Sequence, residues 1–155
     1  MGVSYMDAIA AALPLVGGAA IAARSRWDKD AWYAGLAKPS WTPPSWAFPV
    51  AWTALYIAMG VAGALLIRRR GRKLAPIALA LFITQLCINY AWSPVFFEWH
   101  AVGHAAVVVA VLAALVVATI AVAFPVDRRA AYLLAPYLAW VAFATALNVR
   151  IWQLN

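Results

Sequence analysis

Residues 105-124 read AAVVVAVLAALVVATIAVAF, twenty positions with Thr119 as the one polar side chain and no charge. A helix of about 20 residues rising about 1.5 Å per residue covers about 30 Å, the thickness of a bilayer's hydrocarbon core. In lipid every backbone N–H and C=O must be satisfied within the protein, which leaves helices or a closed barrel. A barrel strand alternates apolar and polar residues with period two, and this nearly unbroken Ala, Val and Leu does not. It reads as a membrane-spanning helix. Working outward, runs free or nearly free of charge recur near 5-23, 46-67, 74-97, 104-124 and 130-152. They predict an all-α membrane protein, one bundle of five transmembrane helices forming a single domain over 1-155. Composition agrees: 67% of the 155 residues are hydrophobic and 11% are charged. A soluble domain carries about 25% charge and could not cover so much apolar surface.

The run at 5-23 contains Asp7, Pro14 and Gly17-Gly18, and its end, Ala20-Ile21-Ala22, resembles a signal-peptidase site. A secretory signal needs a positive n-region, and Met1 to Asp7 holds no Lys or Arg. The helix is therefore expected to be retained. The formal charge of +7 could point to nucleic acid. Position decides against it: Arg68, Arg69, Arg70, Arg72 and Lys73 sit in one short loop between two apolar runs, where a cytoplasmic loop keeps its charge. With Arg128 and Arg129 that side holds seven basic residues, and the other side holds five, Arg24, Arg26, Lys29, Lys38 and Arg150. The N-terminus is thus expected inside and the C-terminus outside. Cys87, the single cysteine, excludes an intrachain disulfide and a Cys-based zinc site.

The long loop at 24-45 is unlike a linker. It holds Trp27, Trp32, Tyr33 and Trp41 with Pro39, Pro43 and Pro44, and Trp46 follows it. Flexible linkers are rich in Gly and Ser, whereas prolines fix φ and aromatics bring apolar area with a polar handle. The segment is expected to fold over the helix ends as a lid, or to supply an interfacial aromatic belt, and both can hold.

Ionisable groups are nearly absent from the helices, and Asp7 and Arg150 lie near enough to helix ends to snorkel. Ion-coupled transporters place such groups at bilayer depth, so their absence argues against that class. What recurs at helical spacing is aromatic and amide: Phe48, Trp52 and Tyr56; Asn89, Trp92 and Phe96; Trp140, Ala144 and Asn148. Each face suits a pocket for a flat, mostly apolar ligand with polar edges. The same faces also suit helix packing, with Asn89 and Asn148 as interhelical hydrogen-bonding groups. Glu98, His100 and His104 could bridge a metal if a helix begins by His100 and the two histidines share its face, but a fourth ligand is missing, and no metal site is assigned. Ala110, Ala114 and Ala118 form a small-residue seam, either inside the bundle or at a dimer contact. No G-x-S-x-G context and no phosphate-binding glycine loop occurs, which removes the hydrolase and nucleotide readings.

Four separated motifs carry a family resemblance. They are Trp32-Tyr33-x-x-Leu36-x-Lys38-Pro39-x-Trp41-x-Pro43-Pro44, then Pro49-x-x-Trp52-x-x-Leu55-Tyr56, then Gln85-x-x-x-Asn89-x-x-Trp92-x-Pro94-x-Phe96-Phe97. The fourth is Pro136-Tyr137-Leu138-Ala139-Trp140-x-x-Phe143-Ala144-Thr145-x-Leu147-Asn148. In that order they resemble the translocator protein family, also called tryptophan-rich sensory proteins or peripheral-type benzodiazepine receptors. The resemblance implies five transmembrane helices, often a homodimer, around a pocket opening towards the loop between the first two helices. It implies a receptor or transporter that binds porphyrins, with protoporphyrin IX or haem as candidate ligand, and benzodiazepine or isoquinoline carboxamide compounds. No cofactor is required.

By motif, the family's pocket would fall on Tyr33, Trp52, Tyr56, Asn89, Phe96, Trp140 and Ala144. Some relatives are reported to degrade protoporphyrin in light and oxygen through two pocket tryptophans, which would match Trp52 and Trp140. A third possibility is a stress-response regulator acting through a partner, with the Arg68 to Lys73 cluster as its handle. Two positions depart from the pattern. Val149 and Gln153 stand where the mitochondrial members' proposed cholesterol motif has Tyr and Arg, which puts a sterol role in doubt. Glu98 follows the Phe pair where a Gly is usual. The membrane implied is a bacterial one, with the mitochondrial outer membrane as the alternative.

Overall fold

A computed structural model of the chain describes residues 5–24 and 31–155. Among the described residues the protein is all-helical: α1 Tyr5–Arg24, α2 Ala31–Gly35, α3 Ala47–Arg68, α4 Ala75–Phe97, α5 Val102–Ala123 and α6 Arg128–Leu154. Four of them, α3 to α6, are long and apolar enough to cross a membrane. In α1 the apolar run is shorter, Ala11–Ile21. Part of the segment expected as a lid, with Trp27, lies outside the described residues.

Neighbour relations give the bundle a ring order. α1 lies along α3, α3 meets α6, α6 meets α5 and α5 meets α4, while α4 touches α3 and α1 only lightly. A ring closed so loosely on one side leaves interior space. The outer faces carry Val50, Ile57, Val61, Ile77, Ile83, Val107, Val111 and Val117, all exposed. Such a surface is unfavourable in water and suits a hydrocarbon surround, where helices associate through packing and hydrogen bonds. Close packing of α1 on α3 depends on Gly60, because a Cβ there would collide with the Ala11 carbonyl.

The basic turns lie together at one end. Asp127 caps α6 by accepting from the Arg129 backbone N–H at 3.0 Å, and its carboxylate also pairs with Arg69 at 3.4 Å and Arg129 at 3.5 Å. This cap starts α6 at Arg128, two residues before the start expected from the run at 130-152. Burial alone would raise the Asp127 carboxyl. The hydrogen bonds and charge of Arg129 outweigh it and hold the group below the ordinary carboxylate value. Above these turns the interior is filled by Met59, Ala62, Leu66, Phe82, Leu112, Val116 and Leu134, all buried.

Two alternatives left open by the sequence are narrowed. α5 begins at Val102, and His100 stands outside it with a left-handed φ of 54°. His100 and His104 therefore do not share a helix face, and the bridging geometry considered for them is lost. Ala110 and Ala114 are exposed, and the buried face of α5 is instead Ala105, Ala106, Val109, Leu112, Val116 and Thr119. The alanine seam is not inside the bundle.

Candidate functional site

Between α3, α4, α5 and α6, with Gly18 and Ile21 of α1 also on its wall, lies a cavity of about 1040 Å³ at the end away from the basic turns. That is at the upper limit of small-molecule pockets, about 300–1,000 Å³. Its wall includes all ten residues singled out from spacing and resemblance: Tyr33, Phe48, Trp52, Tyr56, Asn89, Trp92, Phe96, Trp140, Ala144 and Asn148. The rings of the wall fall into two groups. Trp52 stacks on Tyr56 with centroids 5.4 Å apart and meets Trp140 edge-on at 6.4 Å; Trp92 stacks on Phe96 at 5.1 Å. Phe48 sits edge-on to Trp140 at 5.9 Å. Lys38 is the single charged residue among the described lining residues.

The amides do both things considered for them. Asn148 donates from Nδ2 to the Val102 carbonyl at 3.2 Å and accepts from Trp92 Nε1 at 3.0 Å, so it ties α4, α5 and α6 together while lining the cavity. Asn89 accepts from the Tyr56 hydroxyl at 2.8 Å and donates to the Tyr137 hydroxyl at 3.1 Å. Tyr137 in turn donates to Gln85 Oε1 at 2.8 Å, and Gln85 Nε2 donates to the Phe82 carbonyl at 3.0 Å. Tyr137 and Gln85 are buried behind the wall. Among the described residues one fully buried side-chain polar atom is left over. Trp140 Nε1 is buried with no hydrogen-bond partner, which costs about 1–3 kcal/mol for such a donor.

Over the cavity runs the segment 31–45. Trp32 stacks flat on His100 at 4.0 Å and meets Phe96 edge-on at 5.7 Å, while Tyr33 lies edge-on to Phe97 at 5.6 Å. Lys38 Nζ sits 4.6 Å from the Tyr33 ring centre and donates to the Leu36 carbonyl at 3.0 Å. Burial in this stack raises the Tyr33 phenol above its ordinary pKa. Asn155 holds the Ala37 peptide from both sides, accepting from its N–H and donating to its carbonyl, each at 3.0 Å. Trp41 packs edge-on against Phe143 at 5.8 Å.

Several lining residues escaped the reading of the sequence. Ser93 follows Asn89 by one turn, and Leu147 and Ile151 extend the Trp140–Ala144 face; periodicity alone could have found them. Val109 and Leu112 of α5 carried no signal, since every face of that helix is apolar. Trp46 is exposed yet lines the cavity, whereas Trp99 and Trp152 are exposed and lie outside its wall. Among the described residues no group of three His, Cys, Asp or Glu could hold a metal ion.

The model of the TspO/MBR family matches residues 10–153. The chain belongs to that family. As a TspO/MBR member it is 41% identical over 145 residues to the translocator protein of Bos taurus, covering 92% of this chain and 86% of that one. It is 40% identical over 133 residues to protein CrtK of Rhodobacter capsulatus, covering 83% and 81%. To the tryptophan-rich sensory protein of Cereibacter sphaeroides it is 41% identical over 126 residues, covering 81% and 78%. It is thus a multi-pass membrane protein with both bacterial and animal relatives.

Proposed function

We propose that this protein is a membrane receptor or transporter for a porphyrin or a similarly flat, mostly apolar ligand, bound in the cavity of the bundle. In this reading α1 is the fifth spanning helix, the segment 31–45 is the lid, and the basic turns face the cytoplasm with the N-terminus. The observation that carries it is the cavity wall: stacked and edge-on rings on α3, α4 and α6. Aromatic faces bind a flat π-system. Lys38 at the rim suits a ligand carboxylate.

Titrating the purified protein with protoporphyrin IX while following tryptophan fluorescence tests this. Binding should quench the signal saturably, and Trp52→Phe with Trp140→Phe should weaken both affinity and quenching. Unchanged affinity and quenching in the double variant would sink the assignment. A second reading has its own support: the Trp52 and Trp140 rings meet at 6.4 Å on the same wall, so a macrocycle against it would touch two indoles able to donate an electron to its excited state. The chemistry would be the ligand's, with dioxygen as oxidant. The Soret band should then bleach in light faster than for free porphyrin in detergent, and equal rates would exclude it.

A further inference from the structure

Resting on that cavity, we infer that its Tyr56 wall recognises a hydrogen-bond donor on the ligand, and that Gln85 and Tyr137, which do not line the cavity, set this polarity from behind. The direction of the buried chain is fixed at its far end. A backbone carbonyl can only accept, so the Gln85 group facing Phe82 O must be the NH₂, and Gln85 presents Oε1 to Tyr137. The Tyr137 hydroxyl spends its one proton on Oε1 and must accept from Asn89, which turns the Asn89 NH₂ towards it. Asn89 consequently shows Oδ1 to Tyr56, and the Tyr56 proton is committed there.

A hydroxyl has one proton and two lone pairs. With its proton used, Tyr56 offers the cavity an acceptor and no donor. A ligand edge reaching it gains a hydrogen bond if it carries N–H or O–H. It meets lone-pair repulsion if it carries a carbonyl or ether oxygen. Tyr137 and Gln85 act as positioning residues, since without them the Asn89 amide is free to turn over.

The test uses the full chain in detergent and two probes, an isoquinoline carboxamide with an amide N–H and its N-methyl counterpart, with tryptophan quenching as the readout. The N–H probe should bind about three- to tenfold tighter, the value of one hydrogen bond. Tyr56→Phe should remove that part of the ratio, and because the methyl's bulk is the same in both proteins, the change in ratio isolates the hydrogen bond. Tyr137→Phe should also bring the ratio down, although Tyr137 touches no ligand; a purely structural role would lower both affinities alike. An equal ratio in wild type and Tyr56→Phe overturns the inference while leaving the pocket intact. If neither probe quenches, the pocket assignment fails and the inference fails with it. Should Tyr137→Phe not fold, Tyr56→Phe decides alone.

Discussion

At the basic end the turns 69–74 and 124–127 are short, clamped through Asp127, and stacked directly on a filled core. At the other end the helices stand apart around about 1040 Å³ of space, roofed by a longer segment that rests on ring faces and one amide clasp. The same four helices make both ends, so the difference lies in side-chain size and in what bridges the gaps. One half is built for stability, with buried Leu and Ala fitted helix to helix. The other half keeps aromatic rings at its walls and pins them with hydrogen bonds to neighbouring helices instead of filling the centre.

Substitutions should separate the halves, and the largest effect belongs to the filled one. Leu134→Ala, at a fully buried position, should cost about 2–5 kcal/mol of stability in detergent, with porphyrin affinity per folded molecule unchanged. A loss of affinity at full stability would show the halves to be coupled. Next, Ala144→Phe should add bulk to the cavity wall with a smaller stability loss, and should weaken porphyrin binding at least about tenfold, roughly 1.4 kcal/mol. Normal binding would mean that Ala144 is remote from the ligand.

Asp127→Asn should be milder, about 1 kcal/mol, because Asn still caps a helix but loses the arginine pairs. Its pH signature is specific. The Asp127 carboxyl lies below its ordinary value in the folded protein, so its contribution is fully present above about pH 4 and is lost as pH falls through the lowered value. Thermal unfolding of wild type should therefore lose stability below about pH 4 more steeply than Asp127→Asn, and parallel curves would remove the clamp from the account. The smallest effect is expected for Asn155→Ala, which frees the Ala37 peptide. Stopped-flow quenching should show ligand association and dissociation both a few-fold faster, with little change in affinity or melting temperature. Unaltered rates would mean that the segment 31–45 does not limit access.

Legibility in the sequence followed side-chain contrast. The residues on α3, α4 and α6 stood out because rings and amides repeat at three- and four-residue intervals against an aliphatic background, and all of them reach the cavity wall. On α5 there is no such contrast, so neither the inward turn of Val109 and Leu112 nor the outward turn of Ala110 and Ala114 could be read. Tyr137 was visible inside a motif, but its role was not: it depends on Gln85 and Asn89 lying across a helix gap, a long-range fact that periodicity does not carry. His100 misled for a local reason. A face shared with His104 required a helix beginning by His100, whereas its backbone is left-handed and its ring serves as a shelf for Trp32.

The clasp between Ala37 and Asn155 joins positions 118 residues apart. During synthesis the segment 31–45 emerges long before α6, so its seat does not exist until that helix has been made and inserted. The cavity is roofed last. If the segment 31–45 is the lid proposed above, a hydrophobic ligand already dissolved in the membrane would meet an unroofed site in the newly made protein, and loading at birth would need no lid motion.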